Sequence, residues 1–165
     1  MLMNNNEYLT VINDIKGKIK SVQYRVAVAI NADRIIHFWK LGTIINKYSS
    51  WGNKFLENLA RDIKLDFPNA TGYSVRNLKY MAKFARTYPE IEVVEKIATQ
   101  LSWSHNTLLL DKVKNEDERV WYAQQSIENG WGLDILDDQI DYQLPESVTI
   151  SLYRAASHLC RNESA

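Results

Sequence analysis

Apolar residues recur at three- and four-residue steps along almost the whole chain, the period of an amphipathic helix. Leu9, Ile12, Ile15 and Ile19 form the first such face, and Gly17 weakens or ends that helix. Val22, Val26, Ile30, Ile36, Trp39, Leu41, Ile44, Ile45 and Tyr48 continue it over 22–48. This stretch predicts one long helix, or two broken near Asn31-Ala32-Asp33. Its apolar positions are too many for a narrow seam, which points to a helix packed on two sides or to a contact between copies.

Ser49-Ser50-Trp51-Gly52 interrupts the pattern. A helix over 53–67 follows, with Phe55, Leu56, Leu59, Ile63 and Phe67 on one face, and Pro68 stops it. Ser74 is placed to cap the next helix, 75–88, which Pro89 ends. Over 89–102 a helix and a short strand both fit, because Val93 and Val94 are β-branched. Another helix, 106–113, starts after Ser102-Trp103-Ser104-His105. Glu116, Asp117 and Glu118 open the one after it, where the helix dipole favours acids, and Gly130 closes it. An acidic amphipathic segment, 133–142, completes the pattern. The expected fold is all-α: a multi-helix domain over 1–142 with a helix-turn-helix-like element at 53–88, plain or winged, and a C-terminal tail over 143–165.

Composition changes this picture little. Twenty basic residues balance twenty acidic ones over 165 positions, which argues against a wholly basic nucleic-acid binder but not against a local basic face. The single Cys160 rules out an internal disulfide framework and a cysteine zinc site within one chain. No signal peptide opens the chain, and no stretch approaches the ~20 apolar residues of a membrane helix. A cytoplasmic location without membrane contact is the default expectation. His37, His105 and His158 lack metal-ligand spacing, and no phosphate-loop, nucleophile-elbow or His-Glu-x-x-His motif occurs. No cofactor or metal is called for.

The chemistry concentrates on 75–88. Arg76, Lys79, Lys83 and Arg86 fall at steps of three, four and three, one stripe of a helix beside the apolar face of Val75, Leu78, Ala82 and Ala85. Asn77 and Tyr80 border the stripe, and no acid occurs over 69–89. Arg and Lys suit phosphates and guanine edges, and Asn suits adenine. Ser74, Arg76, Asn77, Lys79, Tyr80, Lys83 and Arg86 are therefore the candidate DNA contacts, though a basic stripe is also what an ordinary solvated face looks like. The stretch 111–141 holds nine acids against Lys112, Lys114 and Arg119, so zero net charge conceals a polarised molecule. Asp134, Asp137, Asp138 and Asp141 read as a solvated or partner-facing surface. Trp103, Trp121 and Trp131 read as core or junction aromatics.

Several phrases then occur in a distinctive order. They are Phe38-Trp39-Lys40-Leu41-Gly42, Ser50-Trp51-Gly52, and Leu65-Asp66-Phe67-Pro68 followed by Gly72-Tyr73-Ser74-Val75-Arg76-Asn77-Leu78 and Met81. Leu101-Ser102-Trp103-Ser104-His105-Asn106 comes next, with Leu108-Leu109-Leu110-Asp111-Lys112, Arg119-Val120-Trp121-Tyr122-Ala123 and Asn129-Gly130-Trp131 after it. In this order they resemble the N-terminal domain of the YhcG-like family, bacterial proteins classed by a domain of unknown function. The resemblance spans roughly 31–140.

It implies a helical, helix-turn-helix-like, DNA-binding domain that precedes a PD-(D/E)xK nuclease domain in full-length relatives. By position Ser74, Arg76, Asn77, Trp103, His105 and Asn106 match the family motif. The nuclease residues have no counterpart: after Gln143 no Pro-Asp precedes a Glu/Asp-x-Lys pair, and no Lys follows Lys114. The expectation is a non-enzymatic DNA-binding module reading DNA with helix 75–88. The alternative is an interaction module that docks a nuclease domain or subunit, or another copy of the chain through its N-terminal helices.

Overall fold

The structure is a computed structural model, and it describes residues 5–48, 50, 52 and 54–142. Cys160, His158 and the tail over 143–165 lie outside the described residues, as do Ser49, Trp51 and Asn53. The described residues form seven α-helices and no strand, so the fold is all-α and no wing is built among them.

Helix α1 runs unbroken from Asn5 to Lys47. Gly17 does not end it, because one glycine costs a helix only ~1 kcal/mol. Nor does it break at Asn31, whose side-chain amide donates to the Thr99 carbonyl (3.0 Å) and the Leu101 carbonyl (2.9 Å). Only the C-terminal part of α1 enters the core: Ile35, Phe38, Gly42 and Ile45 are buried, while residues from Asn6 to Ile30 are exposed almost throughout.

Helix α2, Lys54–Asp66, lies against α1 and α3 through Phe55, Leu56, Leu59 and Ala60. Phe67 is not on that face. It follows the last helical residue and is exposed, as is Leu65. Helix α3, Val75–Thr87, starts at Ser74, whose hydroxyl accepts from the Asn77 backbone N–H (3.2 Å), the expected cap. Its Leu78, Met81, Ala82, Phe84 and Ala85 are buried, making it the most enclosed helix of the body. Gly42 lets α1 approach it: a Cβ there would overlap the Met81 carbonyl. One turn further on, Asn46 donates to the Ala82 carbonyl (2.9 Å).

The ambiguous stretch after Pro89 is helical: α4, Ile91–Lys96, then a 3₁₀ turn over Ala98–Gln100. Helix α5, Trp103–Lys112, is capped by Ser102, and α6, Glu116–Asn129, by Asn115. Gly130 ends α6 in the left-handed conformation (φ 62°), which a glycine adopts without strain. Helix α7 is Leu133–Asp141. Three apolar clusters hold the body together. Phe38, Ile45, Leu78, Met81 and Ala82 join α1 to α3. Ile35, Phe84, Tyr88, Val94, Ala98 and Leu110 join these to α4 and α5. Leu109, Trp121, Tyr122, Ala123 and Leu136 join α5, α6 and α7. Trp103 packs against the first two clusters, Trp121 belongs to the third and Trp131 packs against it, so these three tryptophans are core and junction residues.

Candidate nucleic-acid interface

The basic stripe of α3 divides into paired and unpaired groups. Lys83 Nζ lies 3.0 Å from Asp111 Oδ1 on α5, and the Tyr80 hydroxyl donates to the other oxygen of that carboxylate. Arg86 Nη1 donates to Asn46 Oδ1 on α1 (2.6 Å). Arg76 lies over the ring of Tyr80, 5.7 Å from its centroid, and Lys79 is exposed. Among the described residues neither Arg76 nor Lys79 has a side-chain ion pair or hydrogen bond.

Ser74 and Asn77 serve the fold. Asn77 Nδ2 donates to the Gly72 carbonyl (2.5 Å), and Asn77 Oδ1 accepts from Trp103 Nε1 (2.7 Å). This one amide ties the turn before α3 to the start of α5. Gly72 adopts φ +92° there, with the Arg34 guanidinium and the Phe38 ring closing on its Cα side.

Arg34 is the residue that sequence reasoning missed. It stands over the Phe38 ring at 5.2 Å, with no carboxylate paired to it among the described residues. Arg34 and Arg76 face a cleft of about 530 Å³, walled also by Tyr80, Trp103, Thr107 and Asp111. Forty-two positions separate the two arginines, so no local spacing could have joined them. Contact between α1 and α3 does so: Arg34 meets Gly72, Gly42 meets Met81, and Asn46 meets Ala82 and Arg86.

Asp111 supplies the opposing charge. Burial pulls its carboxyl upward, but hydrogen bonds from Tyr80 and Lys83 and the charges of Lys83 and Arg76 outweigh this and hold it below the usual carboxylate range. The carboxylate is thus hydrogen-bonded by Tyr80 and Lys83 of α3, and it shares the wall of the cleft with Arg34 and Arg76.

The other sequence candidates have internal partners. His105 Nε2 lies 2.9 Å from the Trp131 carbonyl and Nδ1 2.6 Å from the Ser102 hydroxyl. The buried Asn106 donates to the Ala98 and Ser102 carbonyls, both at 3.0 Å. Each of the two ties α5 to backbone outside its own turn, His105 at Trp131 and Asn106 at Ala98. On the acidic side Lys112 bridges Asp137 (2.5 Å) and Asp141 (2.7 Å), and these bonds raise its pKa. Among the described residues no cluster of three or more His, Cys, Asp or Glu is arranged to hold a metal ion. No helix among them is long and apolar enough to cross a membrane.

Among the described residues, seven α-helices joined through three apolar clusters carry an arginine-walled cleft, and together they define an all-α module. The chain belongs to the DUF1016 N-terminal domain family, whose family model matches residues 14–147. This is the YhcG-like N-terminal domain that its motifs resemble, and no catalytic nuclease domain is matched alongside it. The chain matches no curated protein and no solved structure.

Proposed function

We propose that this is a non-catalytic DNA-binding module that grips the phosphate backbone at the mouth of the cleft. One observation carries the reading: Arg34 and Arg76 wall one cleft and, among the described residues, neither is ion-paired or hydrogen-bonded to a carboxylate, because the Asp111 carboxylate beside them is bonded to Tyr80 and Lys83; exposed Lys79 follows Arg76 three residues on along α3. Unpaired guanidinium groups favour phosphate oxygens, which they contact bidentately. The contact differs from the one the sequence suggested. Asn77 has both ends of its amide engaged, Tyr80 and Lys83 are held by Asp111, and Arg86 by Asn46. What remains is phosphate contact without base-edge readout, so binding is expected to be strongly salt-dependent and weakly sequence-dependent. Cleavage is not assigned to this chain, since it lacks the nuclease residue set. A nuclease domain or subunit is the catalytic partner such a module would serve.

The test is fluorescence anisotropy with labelled duplex and single-stranded DNA across a salt series. Three phosphate contacts predict a log–log salt slope of about 2.7 per bound chain, from ~0.9 for each phosphate neutralised on duplex DNA. The Arg34→Ala/Arg76→Ala/Lys79→Ala variant should lose most of the affinity and flatten the slope. Lys83→Ala should change binding far less. Undiminished binding by the triple variant, or none by the native chain at low salt, overturns the proposal.

A further inference from the structure

The cleft holds its two arginines by aromatic faces and not by carboxylates. The Arg34 guanidinium lies over the buried Phe38 ring, 5.2 Å from the centroid, and Arg76 lies over Tyr80 at 5.7 Å. Both rings are themselves fixed. Phe38 belongs to the core, and the Tyr80 hydroxyl is tied to Asp111. A guanidinium held by its face keeps its in-plane N–H fork open to an oxyanion, and much of its rotamer freedom is already lost. Gly72 leaves room for one of them, since a Cβ there would stand 3.4 Å from Arg34 Nη2.

The cleft is polarised. Helices α3 and α5 cross it in the same sense: Asn77 meets Trp103 near the start of both, and Tyr80 and Lys83 meet Asp111 further on. The arginines belong to the first end, Arg34 against Gly72 just before α3 and Arg76 in its first turn. Asp111 stands at the other, seven residues after Ser104, about 10 Å along α5 at ~1.5 Å per residue. Its carboxylate offers about four acceptor sites, and Tyr80 and Lys83 occupy only part of them. What is left repels an anion and accepts a donor. Trp103, Leu108 and Leu133 supply apolar wall. The volume of about 530 Å³ falls within the ~300–1,000 Å³ of small-ligand sites.

We infer that this cleft seats one unpaired nucleotide at the phosphorylated end of a DNA strand. The inference rests on the DNA reading above and names the part of the DNA that enters. A terminal phosphate monoester carries about −1.5 to −2 charge at neutral pH and three acceptor oxygens, which suits two guanidinium forks better than the single charge of a backbone diester. The base lies along the apolar wall with its pairing edge toward Asp111. Every DNA base carries an N–H donor on that edge, so the contact reads no sequence, but it requires a base without a pairing partner. A strand passing through would bring a second phosphate against the Asp111 carboxylate, and a strand end does not. Exposed Lys79, three residues beyond Arg76, is left for the next phosphate along.

Fluorescence anisotropy of the full chain at moderate salt tests it, with labelled duplexes ending in a short overhang of either polarity, phosphorylated or not. On one polarity the phosphorylated overhang should bind about tenfold tighter than its hydroxyl-ended twin, the worth of one further charged hydrogen bond. A blunt phosphorylated duplex should gain less. Arg34→Lys/Arg76→Lys keeps the charge and loses the forks, so salt-dependent binding should persist while the preference disappears. Asp111→Asn removes the repulsion and should narrow the preference by strengthening the binding of unphosphorylated DNA. A free deoxynucleoside monophosphate carries the same group but cannot reach Lys79, so it should displace the overhang far more weakly than an unlabelled phosphorylated strand. Equal affinity for the two overhangs, an equal gain on the blunt duplex, or a preference untouched by both variants overturns the inference and leaves the DNA reading standing. Displacement by the free nucleotide as strong as by the strand overturns the strand end as the source. Absence of binding to any of these DNAs at low salt overturns both readings.

Discussion

Replacing Gly42 by alanine puts a methyl where the Met81 carbonyl of α3 already lies. The obstructing atoms are backbone, so no side-chain rotation relieves the overlap, and α1 and α3 must separate through the Phe38, Ile45, Leu78 and Met81 cluster. Two effects oppose one another. Alanine is the better helix former by ~1 kcal/mol, while forcing an extra methyl into a close-packed contact costs ~1–3 kcal/mol, and rigid backbone belongs at the upper end. The net expectation is a loss of about 2 kcal/mol, seen as a fall of roughly 6 °C in Tm for a chain of this size. Gly17→Ala on the same helix is the internal control. Nothing lies within 4 Å of a Cβ at that position, so only the propensity gain of ~1 kcal/mol remains. Urea unfolding followed by far-UV circular dichroism reads the first substitution, and helicity at low denaturant reads the second. A neutral or stabilising Gly42→Ala would mean that α1 and α3 do not meet at Met81, and the placement of Arg34 beside the turn before α3 would fall with it.

Two further outcomes follow from the hydrogen-bond network. Asn77→Ala leaves the Trp103 indole N–H and the Gly72 carbonyl without their partner, which should cost ~1–3 kcal/mol in urea unfolding and shift tryptophan emission to the red; unchanged stability and emission would deny the lock. Asp111 has its folded pKa depressed, so it contributes stability that is present above the unfolded value near ~3.9 and is lost as pH falls through the lower folded value. With its side chain 46% exposed, that contribution is discounted to a few tenths of a kcal/mol by solvent screening. Unfolding midpoints should therefore fall slightly less between neutral pH and pH ~3 in Asp111→Asn than in the native chain, and an equal fall would remove Asp111 from the account.

Helix ends were legible because their chemistry is local. Ser74 and Gly130 sit at the helix ends expected of them, whereas α5 begins at Trp103, three residues before the expected start, because the Ser102 hydroxyl accepts from the His105 backbone N–H. Phe67 misled because apolar period alone does not say where a helix stops; Pro68 ends helical geometry one residue before it, and the ring is left in water. The stripe of four cations on α3 was visible, but which of them are occupied was not. Asp111 captures Tyr80 and Lys83 across 31 and 28 positions, and Asn46 captures Arg86 across 40. Arg34 carried no signal at all, since it enters the cleft only once α1 is laid on α3. The surplus of apolar residues on α1 is divided in the structure: Ile35, Phe38 and Ile45 enter the core while those before residue 30 stay exposed, and where that switch falls requires knowing which stripe the body buries.

That switch has a consequence for how the chain tolerates change in length. Because α1 is one helix from Asn5 to Lys47, its exposed arm before residue 30 and the body are geared together without a hinge between them. Inserting one residue near position 30 would turn the arm by ~100° about the helix axis relative to the cleft and advance it by ~1.5 Å. Inserting seven would restore the azimuth to within about 20° while moving the arm outward by ~10 Å. Whatever grips the arm therefore fixes the compass bearing of Arg34 and Arg76, and length changes at this junction preserve that bearing only in steps close to a whole heptad.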